Sequence, residues 1–133
     1  MCLIINNGFC TFKSGPNHQA KDKHGLKFGY KVIYNDGYPI FFGRGNAYKV
    51  GWNISNRKRK NLIRRERLSN KVYKGIHIYL KYRDAKLDSY CEGMKIIKVW
   101  YDPADVVAYG NNSFGSDHTV VAMRVKIKSL KGI

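Results

Sequence analysis

The chain has 133 residues and a formal net charge of +16, with 25 Lys and Arg against 9 Asp and Glu. That length suits one domain with a core of its own, and 14% aromatic residues exclude wholesale disorder. A cation this strong is suited to polyanions such as nucleic acid or phosphorylated ligands, and no apolar run approaches the length needed to span a membrane.

Taken in chain order, Cys2-Leu3-Ile4-Ile5, the Asn6-Asn7-Gly8 turn and Phe9-Cys10-Thr11-Phe12 read as a first hairpin. Residues 13–27 are polar and read as a loop. FGYKVIY (28–34), Asn35-Asp36-Gly37 and YPIFF (38–42) read as a second hairpin, followed by a turn at 43–46. AYKVGW (47–52) reads as a strand with Gly51 at a bulge, and the ring of Trp52 is expected in the core. VYKGIHIYL (72–80) is a strand by its β-branched and aromatic content.

KYRDAKLDSYC (81–91) suits a short helix with Tyr82, Ala85 and Cys91 facing inward. Asp84, Asp88 and Glu92 then form an exposed acidic stripe. MKIIKVWY (94–101) is the strongest strand, Asp102 and Asp105 serve a turn, VVAYG (106–110) is a short strand, and residues 110–117 form a loop. The closing segment, HTVVAMRVKIKS (118–129), alternates. Val121, Met123, Val125 and Ile127 share one face, and Arg124, Lys126 and Lys128 form a basic row on the other. The expectation is an α+β fold, a single domain over 1–133 that is mainly antiparallel sheet with one or two short helices.

Residues 56–71 interrupt this pattern. Arg57, Lys58, Arg59, Lys60, Arg64, Arg65 and Arg67 crowd around one acid, Glu66, in a basic insert that suits a loop or a narrow-striped helix. Residues 1–80 hold 16 Lys and Arg against 3 acids, whereas residues 81–133 hold 9 against 6, so the cationic field belongs to the first part. Such a run binds phosphates by forked arginine contacts and counterion release, or else is a solvated surface. Of the neighbouring rings Tyr48, Trp52 and Tyr73, on which a base can stack, Trp52 is the one expected in the core instead. The expected ligand-binding residues are therefore Arg44, Tyr48, Lys49, Arg57, Lys58, Arg59, Lys60, Arg64, Arg65, Arg67, Tyr73 and His77. His77 enters because it alternates with Ile76 and Ile78, which directs it to solvent or a cleft.

Other chemistries fit the residues poorly. Gly43-Arg44-Gly45 lacks the further glycine of a dinucleotide loop and reads as a plain turn. Cys2, Cys10, His18 and His24 are zinc-type residues at spacings unlike those of structural zinc sites. Three cysteines without a C-x-x-C fit free thiols in a reducing cytoplasm. No Ser/His/Asp set or activated cysteine stands out, so the expectation is a binding protein rather than an enzyme, with no cofactor and no metal.

The order of pieces resembles a loose group of small bacteriophage accessory proteins. The residues that carry this are the Met1-Cys2-Leu3 start, the Tyr30-Lys31-Val32 strand, Tyr48 to Gly51, the Gly75-Ile76-His77 strand and the short Ala85-containing helix. The basic insert at 56–71 is not a feature of that group. The resemblance implies a viral protein acting in a bacterial cytoplasm, oligomeric, and sequestering a nucleotide signal of host immunity. The alternative is a protein that binds nucleic acid or a host complex that handles it. The stretch 75–107 is also similar in layout to ADP-ribosyltransferase-like folds. Those enzymes need a late glutamate, and this chain has only Glu66 and Glu92; the resemblance implies, as a second alternative, an ADP-ribosyltransferase-like enzyme, or a nucleotide-gripping relative without transfer activity.

Overall fold

The computed structural model describes residues 3–5, 24–39, 47–55, 71–72, 75–89, 91–112 and 119–133. Among them run nine strands, β1 (Leu3–Ile5), β2 (Lys27–Tyr34), β3 (Gly51–Ile54), β4 (Lys71–Val72), β5 (Ile76–Tyr79), β6 (Met94–Tyr101), β7 (Val106–Asn112), β8 (Thr119–Ala122) and β9 (Arg124–Ile127). One α-helix, α1 (Tyr82–Asp88), lies between β5 and β6. The strands form a sheet in the order β3-β9-β6-β2-β5-β8-β7-β1-β4, every neighbouring pair antiparallel. The architecture is α+β, mainly antiparallel sheet with a short helix.

The longest pairing, β2 with β6, aligns Lys27 with Tyr101 through Tyr34 with Met94. Both strands alternate. Ile33, Ile97, Val99 and Tyr101 enter one buried cluster, and Val32 and Ile96 enter another on the opposite face. After Tyr34 the chain reverses through Asn35-Asp36-Gly37. Gly37 takes φ +92° there, its N–H donates to the Tyr34 carbonyl at 2.8 Å, and Ile33 bridges to Pro39. The expected second hairpin thus exists at its turn, while residues 40–46 lie outside the described set.

β8 and β9 are separated by Met123 alone, yet β8 lies between β5 and β7 and β9 between β3 and β6. One extended stretch therefore flanks β6, β2 and β5 on both sides, and the sheet curls back on itself. The face parity flips at the break: Val120 and Ala122 before it, and Val125 and Ile127 after it, all enter the same core. The strict alternation expected from Val121 to Ile127 is corrected here. The backbone of Met123 bonds sideways, its N–H to the Asp105 carbonyl at 2.9 Å and its carbonyl to the Ser55 N–H at 2.7 Å. These contacts satisfy the groups that the break removes from the ladder.

The enclosed core holds Ile33, Ile76, Ile78, Leu80, Ile97, Val99, Tyr101, Val106, Val120, Ala122, Val125 and Ile127. Each such Ile or Val contributes about 1.5–3 kcal/mol by leaving water. Closure is tight where β2 meets β5. A Cβ on Gly29 would fall 2.4 Å from the Ile78 Cγ2 and 2.7 Å from the Tyr79 carbonyl oxygen, so only glycine fits. Two cations share the core-facing parity of β2: Lys27 and Lys31 are both buried. The Lys31 ammonium donates to the His77 carbonyl at 2.9 Å and lies 5.4 Å from the centre of the Tyr48 ring.

The second cluster, Val32, Tyr79, Ala85 and Ile96, is covered by α1. Ala85 faces inward as its spacing predicts. The rest of the helix is reversed from expectation: Asp84 and Asp88 are buried at 4% and 3% exposure, whereas Tyr82 is 38% exposed and Cys91 lies at the surface. For Asp88 the cause is a tertiary partner, because its carboxylate accepts a hydrogen bond from the Tyr79 hydroxyl. Burial raises the Asp88 carboxyl above its ordinary value.

Candidate functional site

The outward face of β2, β6, β9 and β3 collects rings and cations. Cross-strand partners share a face in a sheet, so register determines which residues meet. Phe28 pairs with Trp100, Trp100 with Lys126, and Lys126 with Trp52, which places the four in one row running across four strands. Tyr30 pairs with Lys98 one pleat further along. None of these side chains belongs to the enclosed core, whose members on β6 and β9 are the intervening Ile97, Val99, Tyr101, Val125 and Ile127.

The rings touch in sequence. Tyr82 of α1 stands 5.6 Å from Tyr30, edge-on at 76°; Tyr30 stands 6.0 Å from Phe28 at 86°; Phe28 stands 5.4 Å from Trp100 at 60°. Cations interleave with them. The Lys98 amine lies 4.0 Å over the Phe28 ring and 5.1 Å from Trp100, and the Lys128 amine lies 3.8 Å over Trp100. At the far end the Arg124 guanidinium lies 4.3 Å over Trp52 and is fixed by Asp105, Nε to Oδ2 at 2.6 Å. Asp105 is itself positioned by the turn at 103–105, where Asp102 accepts from the Ala104 N–H at 2.9 Å, in keeping with the turn role expected of it.

Each ring–cation contact is worth about 0.5–1 kcal/mol at an exposed site, enough to order a side chain but easily exchanged. Chemically the row offers two kinds of group in alternation: flat apolar faces and exposed or half-exposed ammonium and guanidinium groups. The ammonium groups of Lys98, Lys126 and Lys128 are suited to phosphate oxygens.

Of the residues expected from sequence to bind a ligand, Tyr48, Lys49 and His77 are described. Tyr48 packs against the enclosed core, where burial pushes its phenol up. Lys49 is exposed at the turn before β3, its N–H bonded to the Asn53 Oδ1 at 3.0 Å. His77 is corrected: it is 6% exposed rather than solvent-facing, with Nδ1 3.3 Å from the Gly75 carbonyl and its own carbonyl held by Lys31. The strand is buried on both faces, so alternation beside Ile76 and Ile78 does not lead to water. Trp52 is also corrected, from the core to the outer row. Arg44, Arg57, Lys58, Arg59, Lys60, Arg64, Arg65, Arg67 and Tyr73 lie outside the described residues, as do Cys2, Cys10 and His18.

Sequence reasoning did identify the basic row of Arg124, Lys126 and Lys128. It missed Phe28, Tyr30, Lys98 and Trp100, which carry the rings beside that row. Their alternation along FGYKVIY and MKIIKVWY was a signal, but the pairing of Phe28 with Trp100 joins residues 72 positions apart. No helix among the described residues is long and apolar enough to cross a membrane, and no group of three or more His, Cys, Asp or Glu among them could hold a metal. Comparison of the chain with protein-family models, with curated proteins and with solved structures returns no match.

Proposed function

We propose that this chain is a binding protein, without chemistry of its own, for a ligand that carries both nucleobases and phosphates. One observation supports the reading above all: the outward row in which Trp52, Trp100, Phe28 and Tyr30 alternate with Arg124, Lys126, Lys128 and Lys98. Rings beside Arg and Lys are the common solution for holding bases by stacking and their backbone by charge. The net charge of +16 adds a long-range attraction for the same ligand.

The resemblance to small phage accessory proteins extends the proposal to a setting. There the ligand is a nucleotide signal of host immunity that the protein sequesters in the bacterial cytoplasm, as an oligomer. The alternative reading, a protein that binds nucleic acid or obstructs a host complex acting on it, draws on the same surface and is favoured by the length of the row.

The test is native mass spectrometry of protein purified from cells, followed by denaturation and identification of what is released, with direct titration of nucleotides, DNA and RNA at about 150 mM salt. The expected result is a phosphorylated, base-bearing molecule in one of these experiments. Absence of affinity for all of them at that ionic strength overturns the proposal.

A further inference from the structure

We infer that the ligand suited to this face is an unpaired stretch of nucleic acid, several nucleotides long, laid across β2, β6, β9 and β3. This rests on the reading of the face as a site for bases and phosphates, and it commits to one form of that ligand.

The row extends further than one base can cover. Tyr82, Tyr30, Phe28 and Trp100 follow one another at centroid distances of 5.6, 6.0 and 5.4 Å. Trp52 lies beyond β9, two strand spacings or about 10 Å further on. A single base covers one ring or an adjacent pair. Tyr30 stands edge-on to both Phe28 and Tyr82, which divides the row into separate stacking positions rather than one slab.

The row's charges are spread rather than convergent. A small nucleotide brings its phosphates to one point and calls for converging cations. Here the cations are spread along the row: Lys98 by Phe28 and Trp100, Lys128 over Trp100, Lys126 between Trp100 and Trp52, and Arg124 over Trp52. A nucleic-acid strand alternates base and phosphate in the same way. A duplex hides the base faces inside its own stack, leaving the five rings nothing to stack upon.

The contacts along the row describe the exchange. The Lys98 amine occupies the Phe28 face at 4.0 Å. An incoming base takes that face, and the flexible lysine stem carries the amine to the neighbouring phosphate. Arg124 stays on Trp52 because Asp105 holds its Nε, leaving the outer N–H groups of the guanidinium for a phosphate.

The experiment uses tryptophan fluorescence and anisotropy with four probes at about 150 mM salt: oligothymidylate and oligouridylate of about 16 nucleotides, a duplex of the same length, and thymidine monophosphate. The expected result is saturable quenching by a single-stranded oligomer, with the duplex and the monophosphate at least about tenfold weaker. Trp100→Ala weakens oligomer binding by about fivefold to a hundredfold, and Trp100→Phe, which keeps a ring, restores most of it. Lys98→Glu, at an exposed position where folding is not at stake, also weakens binding and lowers the slope of log affinity against log salt by about 0.7 for each phosphate no longer bound. Preference for one of the two oligomers supports the inference and shows that the face reads the 2′-hydroxyl or the thymine methyl group. A duplex bound as tightly as the oligomers, or a monophosphate bound as tightly, overturns the inference while the base-and-phosphate reading stands. No binding of any probe, together with no nucleotide in the purified protein, overturns both.

Discussion

The ammonium of Lys31 is tethered to the carbonyl oxygen of His77 at 2.9 Å, beside a core built from Ile, Val, Leu, Ala and Tyr. Burial lowers the Lys31 ammonium to about 8 from its ordinary 10.5. Between those values the unfolded chain keeps the proton and the folded chain has released it. Unfolded protein binds more protons there, so stability rises with pH from about 8 towards 10. Above 10 the trend reverses, because burial pushes the Tyr48 and Tyr101 phenols up and the unfolded chain loses those protons first. Urea denaturation at stepped alkaline pH should therefore show a maximum at about pH 10. Lys31→Met should remove the rise, which for this shift amounts to at most about 3 kcal/mol. A rise that survives in Lys31→Met contradicts the assignment.

Gly29→Ala tests the closure of the sheet. The new Cβ would sit 2.4 Å from a side-chain atom of Ile78 and 2.7 Å from the Tyr79 carbonyl oxygen, and the latter is backbone in a paired strand. Relief requires β2 and β5 to separate, at about 1–3 kcal/mol or more. Gly25→Ala is the comparison: φ is +77° but nothing lies within 4 Å, so only the backbone strain of about 1 kcal/mol applies. Denaturation midpoints should rank wild type, then Gly25→Ala, then Gly29→Ala. The opposite order would mean that β2 and β5 do not cross there.

Asp88 is buried beneath α1 with the Tyr79 hydroxyl donating to it, and burial raises its carboxyl above 3.8. The folded state thus holds a proton that the unfolded chain has lost, and stability falls as pH rises through that window. Asp88→Asn keeps an acceptor for Tyr79 and carries no charge, so its stability should change less between about pH 4 and 7 than that of wild type. Tyr79→Phe removes the donor and should cost about 1 kcal/mol at neutral pH. An Asp88→Asn profile parallel to wild type would exclude a raised carboxyl.

What could be read from the sequence divides along a physical line. MKIIKVWY is strand β6 at both of its ends, because Ile97 and Val99 face one buried cluster and Ile96 another, a pattern local to eight residues. Ala85 points inward on its helix for the same local reason. Met123 was not legible as a break: Val120 and Val121 are both fully buried, so period-two patterning carries no face information across that stretch. Lys27 and Lys31 count towards the cationic field in any tally of charge, yet both are withdrawn from the surface by the parity of β2. The outer row depends on Phe28 meeting Trp100 and Lys126 meeting Trp52. Register between distant strands sets both, and no single strand contains that information.

Charge and rings should make separable contributions to ligand binding. Arg57, Arg59, Arg64 and Arg65 lie in the basic insert, and Trp100 lies on the outer row. If the insert engages phosphates, replacing its four arginines with alanine should lower the salt slope by about 0.7 for each phosphate of a single strand no longer bound, with little change in preference for single strand over duplex. Trp100→Ala should leave that slope nearly unchanged and erase the preference, since stacking depends on exposed bases rather than counterions. Titrations of both variants across about 50–200 mM salt separate the two. Should the arginine variant retain the full wild-type slope, the insert does not touch the phosphates, and the cations of β6, β9 and the residue after it carry the electrostatic work alone.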